Sequence, residues 1–412
     1  MATKAPSAFK ISHAKAYAVS SSPITAVIDA LESIFKFDQP ADNTLNLYFR
    51  THRYIGSKDR RFVTETVWAV LRRFGRYSSL CKKLTARIAV ALYLQEIGLS
   101  PDDYFTGGQY APEPLTDDES VVFEEQSPLL ECPDWLKNRL DPADISAMTR
   151  PAATDLRVNM LKTTREKMLK ELEDLAPEPT PYSPTGIRLQ GRPQITALPA
   201  FTDGRIELQD EGSQIAALLT QAKAGDLILD WCAGAGGKTL AMAAMTQNKG
   251  VVYAVDLNTK RLRDLPDRAQ RSGAQNIVVL TDYKNLKSGY DLVLVDAPCT
   301  GTGTWRRSPD ARWRIGKKQS EELVKTQRDI LEKAAKHVKA GGRLFYITCS
   351  LDDAENDDQI TAFLKKHKDF KLENLAPVFK EITGKTIITP VVHLTPSAFG
   401  TDGFFAASMI KA

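Results

Sequence analysis

From Gln209 onward, short apolar runs alternate with amphipathic stretches, and this alternation constrains the fold more than any other feature of the chain. The apolar runs are the β-type segments LILDWC, GVVYAVD, NIVVLTD, YDLVLVDAP and GGRLFYITCS. Helical patterns such as KTLAMAAMTQ and QSEELVKTQRDILEKAAKHV separate them. Strands joined by crossover helices pair in parallel, so the sequence predicts an α/β fold with a doubly wound sheet.

The region before this sheet has two other patterns. Residues 23–98 repeat apolar positions at three-to-four spacing, which predicts a helical module, and an acidic, Pro- and Gly-rich connector follows near 99–128. The runs LRVNML, TTREKMLKELEDL, IRLQ and RIELQ predict a small α+β module. We therefore expect three domains, with the limits 1–140, 141–205 and 206–412.

Composition excludes several classes of protein. Among the 412 residues we find no apolar stretch long enough to span a bilayer, and the first twenty lack the apolar centre of a secretory signal. The expected compartment is therefore the cytoplasm. The five cysteines form no CxxC pair and have no nearby histidine at metal-ligand spacing, so we expect neither a disulfide framework nor a bound metal.

A glycine-rich turn follows the first predicted strand of the sheet and leads into a helix. It consists of Cys232, Ala233, Gly234, Ala235, Gly236, Gly237 and Lys238. Asp256 ends the next strand about twenty residues later, the spacing of a carboxylate that holds ribose hydroxyls. This pattern alone leaves a dinucleotide site open. A Walker A phosphate loop fits less well, because Cys232 stands where that motif needs glycine.

Carboxylates recur at the ends of the predicted strands. Asp230, Asp256, Asp282 and Asp296 each finish one of them, which places all four at one sheet edge. Any one of them could simply cap the next helix. Four carboxylates at the same position, the end of a strand, favour a site for a nucleotide-like cofactor and a substrate.

Two cysteines follow two successive late strands, in DAPCTGTG and in TCS. A lone free cysteine is usually a small buried hydrophobe. Cys299 and Cys349 instead each lie in a polar, turn-forming context at the same predicted edge. Two such cysteines at one edge favour a catalytic role over the structural role of a small buried hydrophobic residue.

These motifs resemble those of the RsmB and NOL1/NOP2/Sun family of RNA cytosine-5 methyltransferases. DAPCTGTG and TCS match its hallmark, DWCAGAGGKT is similar to its cofactor loop, and LQDEGSQ, GTWRRSPDARW and FGTDGFF also match. The resemblance covers most of residues 155–412. Three positions depart from the family pattern: Gly234, Ala235 and Thr300.

The resemblance implies a Rossmann-like class I methyltransferase domain that takes S-adenosylmethionine. It implies that Cys349 adds to carbon-6 of the cytosine, which makes carbon-5 nucleophilic, and that Cys299 assists release of the product. Asp296 is expected to assist protonation at nitrogen-3, and Lys238 to polarise the base or lower the thiolate pKa. The implied cofactor residues are the turn Cys232 to Lys238, Asp256 with Arg261 at the ribose, Asp282 near the adenine, and Asp296.

The expected partner is RNA, with ribosomal RNA favoured and transfer RNA left open. DNA is disfavoured because the DNA enzymes use the Pro-Cys cysteine and an ENV motif, which this chain lacks. The target base must be unstacked to reach both cysteines. Basic and aromatic residues after the first cysteine are candidates to grip flanking nucleotides: Trp305, Arg306, Arg307, Arg312 and Trp313.

Two other functions remain open. A nucleotide-dependent oxidoreductase would explain the sheet and Asp256 but not the paired cysteines. A non-catalytic RNA-binding assembly factor would explain the basic segments but not a complete set of reactive groups. We also expect a monomer.

Overall fold

The computed structural model describes residues 21–124, 131–191, 193–283 and 286–412. The first twenty residues, on which the argument against a secretory signal rests, lie outside this part, as do residues 125–128 of the predicted connector. Contacts divide the chain into two units. One comprises Met1–Arg150 and Arg307–Ile315, and the other comprises Pro151–Arg306 and Gly316–Ala412.

The first unit is helical. Its helices are α1 (Ser21–Ile34), α2 (Ala41–Thr51), α3 (Ser57–Leu71), α4 (Phe74–Ser79), α5 (Ala86–Glu96) and α6 (Pro142–Ala147), with a short helix at Ala311–Arg314. Three 3-10 turns lie at Pro101–Asp103, Asp117–Glu119 and Asp134–Leu136. In α1, Ile24, Val27 and Leu31 recur at helical spacing and are buried. The helical pattern predicted for 23–98 is confirmed.

A four-stranded antiparallel sheet begins the second unit. Its strands are β1 (Thr154–Val158), β2 (Glu178–Pro179), β3 (Gly186–Leu189) and β4 (Ile206–Leu208), in the order β2-β3-β1-β4. Helix α7 (Arg165–Glu171) begins after Thr164, whose side chain accepts a hydrogen bond from the Lys167 amide. The predicted small α+β module is confirmed as a fold.

The larger sheet of this unit has eight strands in the described part of the chain. They are β5 (Leu227–Asp230), β6 (Val251–Ala254), β7 (Ile277–Val279), β8 (Tyr290–Asp296), β9 (Val338–Thr348), β10 (Phe370–Glu373), β11 (Val392–Leu394) and β12 (Phe404–Lys411). The order is β10-β12-β9-β8-β5-β6-β7, with β11 also paired to β12. Strands β5 to β9 pair in parallel, as predicted. The antiparallel β10, β11 and β12 were not predicted.

Helices accompany the larger sheet. They are α8 (Glu211–Leu218), α9 (Gly237–Met245), α10 (Leu265–Ser272), α11 (Lys317–Ala335), α12 (Asp357–Lys366) and α13 (Ala376–Thr383). Four-residue helices lie at Pro199–Thr202 and Pro396–Phe399, and 3-10 turns at Glu173–Leu175, Ile195–Ala197, Thr259–Leu262, Thr302–Thr304 and Asp353–Glu355. In the residues described, no helix has the length and apolarity to cross a membrane.

Candidate active site

Cys299 and Cys349 meet at the carboxyl edge of the larger sheet. Strands β8 and β9 pair in parallel, with Asp296 opposite Ile347, so the turns that follow them emerge side by side. The two sulfur atoms lie 3.4 Å apart, and both cysteines are half-buried. At this distance a thiol on one can hydrogen-bond to a thiolate on the other.

A buried carboxylate, that of Glu355, accepts hydrogen bonds from both of the turns that carry the cysteines. Glu355 is fully buried and accepts hydrogen bonds from the Thr300 amide at 2.9 Å and the Thr300 hydroxyl at 2.5 Å. It also accepts from the Ser350 hydroxyl at 2.5 Å and from the Gln327 amide group at 2.9 Å. One side chain therefore fixes the residue after each cysteine, and Thr300, one of the departures from the family pattern, keeps its hydroxyl in this role.

The surroundings of Cys299 keep its thiol protonated. Its contact with the Cys349 sulfur, its shielding from water and the nearby charge of Glu355 raise the pKa of Cys299 well above its ordinary value. A thiol in this state is a poor nucleophile at neutral pH. It is suited to donating a hydrogen bond or a proton to the sulfur beside it.

Replacing Glu355 with alanine is expected to destabilise the second unit by about 3 kcal/mol, because several buried donors would lose their acceptor. Urea unfolding of wild type and variant measures this difference. The exposed Glu381 in α13 provides the matched control, and Glu381→Ala is expected to change stability by less than about 0.5 kcal/mol. Equal effects of the two substitutions would contradict the bridging role.

The glycine-rich turn has the backbone geometry that its sequence requires. Gly234 and Gly236 have φ angles of 54° and 86°, in the left-handed region. A Cβ at position 234 would lie 2.9 Å from a guanidinium nitrogen of Arg261, and one at position 236 would lie 2.2 Å from Leu265. Both positions therefore need glycine, and Gly234, a second departure from the family pattern, is well suited to its place.

Asp256 closes one side of this turn. Its carboxylate is buried and accepts hydrogen bonds from the amides of Gly234 and Asn258, both at 2.9 Å, and from Arg261 at 3.2 Å. Each carboxylate oxygen has two lone pairs, so acceptor capacity remains for a ligand. Arg261 and Asp256, predicted to act together, are adjacent here.

Asp230 contributes a buried oxygen that lacks a partner. Its Oδ2 accepts from the Thr239 hydroxyl at 2.7 Å, while among the residues that the structure describes no hydrogen-bond partner reaches Oδ1. Burial raises the pKa of Asp230 to about 7. An orphaned buried acceptor beside a glycine-lined turn is the feature expected where a ligand with a donor group completes the site.

Lys238 and Asp296 form an ion pair beside the cysteines. The Lys238 ammonium is buried, donates to the Asp296 carboxylate at 2.6 Å, and lies 5.3 Å from the centre of the Phe404 ring. Asp296 is half-buried and immediately precedes the Cys299 turn. The pair joins the glycine turn to the cysteine turns, so both halves of the predicted site lie together.

The remaining predicted cofactor residues differ in their exposure. Cys232 and Ala233 are buried, and burial raises the pKa of Cys232 well above its ordinary value, which makes it unreactive. Ala235 and Asp282 are exposed. In the part of the chain that the structure describes, no cluster of three histidine, cysteine or acidic residues is placed to hold a metal ion.

Three of the predicted RNA-contacting residues are buried, and this corrects the prediction. Trp305 is 1% exposed, and Arg306 pairs with Asp402 at 3.0 Å. Arg312 donates to the carbonyl oxygens of Glu131 at 2.8 Å and Met148 at 3.2 Å. These side chains are packed inside the protein, and the contacts of Arg306 and Arg312 are made to other parts of the same chain. Exposed Arg307 and half-buried Trp313 remain candidates.

The substitution Arg312→Met is expected to destabilise the helical unit by about 2 kcal/mol, since two buried carbonyls would lose their donor. Arg312 is 1% exposed, and this burial lowers its pKa to about 10. Thermal unfolding measures the effect, with the exposed Arg307→Met as control. If Arg312→Met kept the stability of wild type but bound RNA more weakly, Arg312 would again be a candidate RNA contact.

The fold is that of a class I methyltransferase, with paired cysteines at the carboxyl edge of its larger sheet. A family model described as 16S rRNA methyltransferase RsmB/F matches residues 217–410, and a ferredoxin-like domain of the RsmF/B type matches residues 132–196. The chain belongs to the RsmB/F family of RNA methyltransferases.

Individual relatives agree with this assignment. The chain is 33% identical to a probable ribosomal RNA small subunit methyltransferase B of Synechocystis sp., over 72% of this chain and 70% of that protein. It is 33% identical to the protein of that description in Bacillus subtilis, over 63% of this chain and 60% of that protein. A crystal structure of PH0851 superposes with a TM-score of 0.78 at 25% identity, covering 96% of this chain and all of that one.

Sequence reasoning missed three residues of this site. Glu355 lies six residues after Cys349 and had no motif to mark it. Arg157 was visible only as part of a β-type run, and Arg268 only as one of several charges on a helix. Each acts through contacts between segments far apart in the chain, which a sequence pattern does not reveal.

Proposed function

We propose that this protein transfers a methyl group from S-adenosylmethionine to carbon-5 of a cytosine in structured RNA, with ribosomal RNA as the favoured substrate. The observation that carries the proposal is the pair of cysteine sulfurs 3.4 Å apart beside the Lys238–Asp296 ion pair. One sulfur can add to the pyrimidine while the other assists its departure. The descriptions of the curated relatives support ribosomal RNA.

The residues of the glycine-rich turn fit the proposed cofactor, which supplies the methyl group when bound. Asp256 would hold its ribose with Arg261 nearby, and Asp282 would lie near its adenine. The orphaned Oδ1 of Asp230 and the left-handed glycines suit a ligand that approaches the backbone closely and carries a donor group.

Cys349 acts as the nucleophile in this proposal. Its thiolate adds to carbon-6 of the cytosine, and the electron pair of the carbon-5–carbon-6 bond becomes available at carbon-5. Asp296 contacts the ring edge and eases protonation at nitrogen-3, and the Lys238 ammonium supplies positive charge beside it. The hydrogen bond between Lys238 and Asp296 fixes both side chains in position, so they need little rearrangement when the thiolate adds.

Cys299 acts in the release of the product. After methylation a water molecule takes the proton from carbon-5, the electrons of that bond re-form the carbon-5–carbon-6 double bond, and the Cys349 sulfur departs as a thiolate. The protonated Cys299 thiol, 3.4 Å from that sulfur, donates a hydrogen bond to the developing charge. Its raised pKa suits this role and disfavours Cys299 as the attacking group.

The rest of the chain is proposed to bind the RNA. The helical region 1–140 and the small module 141–205 would contact RNA around an unstacked base in a loop, bulge or opened helix, with 206–412 as the catalytic domain. Arg307 and Trp313 are the remaining candidate contacts from the segment after Cys299.

Incubation of the protein with S-adenosylmethionine and bacterial total RNA, followed by nucleoside mass spectrometry, tests the proposal. An increase in 5-methylcytosine in ribosomal RNA is expected. An increase confined to transfer RNA would change the substrate class. RNA binding without any 5-methylcytosine, on unmodified ribosomal RNA transcribed in vitro, would favour the assembly-factor alternative.

A further inference from the structure

The glycine-rich turn is held from outside by two arginines. The Arg268 guanidinium donates to the carbonyl oxygen of Ala235 at 2.5 Å. The Arg157 guanidinium donates to the carbonyl oxygen of Gly237 at 2.6 Å and also contacts the side-chain oxygen of Gln209. The two carbonyls belong to the residues on either side of Gly236, so the arginines fix the peptide before Gly236 and the peptide after Gly237.

A single carboxylate of the four-stranded sheet, that of Glu207, lies near Arg157 and binds Arg268. Glu207 on β4 lies opposite Arg157 on β1 in the strand register. It is buried and accepts from Arg268 at 2.8 Å and from Arg271. The four-stranded sheet thus supplies one arginine directly and orients the other through Glu207.

Burial of the charged Arg157 guanidinium costs free energy, because the group loses contact with water. It is 7% exposed, and burial lowers its pKa to about 10, with Glu207 opposing that shift. The cost of burying a guanidinium is reduced where its donors are used, and here Nη1 of Arg157 donates both to the turn and to Gln209. The packing of the module alone does not need a charge at this position.

Fixing a carbonyl also fixes the amide that follows it, because the peptide is planar. The Gly237 carbonyl determines the direction of the Lys238 amide, one of the first amides of α9, which have no partner within the helix. The Ala235 carbonyl likewise determines the direction of the Gly236 amide, which donates to Ala233 at 2.9 Å. The arginines therefore set which way the donors of the turn point.

We propose that Arg157 and Arg268 are positioning residues of the cofactor turn, and that the small module is a structural part of the cofactor site in addition to its proposed role with RNA. This rests on the proposed S-adenosylmethionine site. The arginines do not touch the ligand, and act by holding the turn in the shape that binds it.

Calorimetric titration of S-adenosylmethionine into wild type, Arg157→Met and Arg157→Lys tests this proposal. Loss of one charge-assisted hydrogen bond is expected to raise the Kd about tenfold in Arg157→Met. Lysine keeps a single donor, so Arg157→Lys is expected to fall between the two. In methylation assays the KM for S-adenosylmethionine is expected to rise, while kcat at saturation changes by less than about threefold.

Arg188→Met is the matched control, because Arg188 lies in the same module and pairs with Asp155 at 2.7 and 2.9 Å. It is expected to lower the Tm and leave the Kd within about twofold of wild type. A Kd for Arg157→Met equal to that of wild type, or to that of Arg188→Met, would overturn the positioning role.

Hydrogen–deuterium exchange separates this proposal from the proposed function. Without any ligand, Arg157→Met is expected to exchange faster than wild type in the peptide that covers the turn, and Arg188→Met is not. If wild type bound no S-adenosylmethionine, the cofactor assignment would fail, while the exchange rates would still decide whether Arg157 holds the turn.

Discussion

Cys349→Ala protein is expected to lose methyl transfer by at least about 10³-fold, because no other group in the proposed mechanism can add to carbon-6 of the cytosine. The adjacent Cys299 is not expected to replace it, since shielding from water and the charge of Glu355 still raise the pKa of Cys299 when the Cys349 sulfur is gone. Transfer of a radioactive methyl group to ribosomal RNA under single-turnover conditions measures the loss.

The variant must be shown to fold and to bind its ligands. The Cys349 side chain is half-buried, and its removal leaves Glu355 bound to Thr300 and Ser350, so the Tm and the affinity for S-adenosylmethionine are expected to stay near those of wild type. Methylation that survived in Cys349→Ala would refute the assignment, and loss of that activity on removing Cys299 would then identify Cys299 as the nucleophile.

Much of the fold followed from periodicity alone. The parallel strands β5 to β9 each carry an apolar run, and their crossover helices carry the amphipathic pattern, so local sequence and tertiary structure agree. The glycine turn, Asp256 and both cysteines lie at one edge, because parallel strands bring their carboxyl ends together.

The contacts of the basic segment could not be predicted in this way. Trp305, Arg306 and Arg312 have the composition of an RNA-binding surface, yet all three are buried. Arg306 and Arg312 bind partners that lie 96 and 181 residues away in the chain. Composition shows which side chains are present, but not whether they face the solvent or the protein interior. The antiparallel strands β10 to β12 could not be predicted for a similar reason, since β12 pairs with β9, and β10 and β11 pair with β12, through reversals of the chain that no sequence pattern marks.

Arg157 and Arg268, which contact the cofactor turn, are further residues whose contacts could not be predicted from the sequence. Arg157 alternates with the buried Leu156 and Val158 in β1, a pattern that would place it on the solvent side of the sheet, yet it is 7% exposed. Only the position of Gly237 and Gln209 next to it explains why a cation is kept there. An interior charge in a strand is therefore a useful sign of a contact with a site.

Cys299→Ala protein is expected to accumulate a covalent complex with RNA that survives denaturing electrophoresis. In the proposed mechanism this substitution leaves attack by Cys349 intact and removes the thiol that stabilises its departing sulfur 3.4 Å away. Turnover is expected to fall by about 10² to 10³-fold, the usual cost of losing one such donor. The adduct requires both RNA and S-adenosylmethionine.

The double variant Cys299→Ala, Cys349→Ala distinguishes this adduct from other cross-links. It keeps every other described group of the site, including the Lys238–Asp296 pair, and is expected to give no band of reduced mobility. A complex that persisted in the double variant would place the covalent bond elsewhere. If Cys299→Ala turned over like wild type with no complex, the hydrogen bond between the sulfurs would have no part in release, and the bond to Cys349 would break without help from its neighbour.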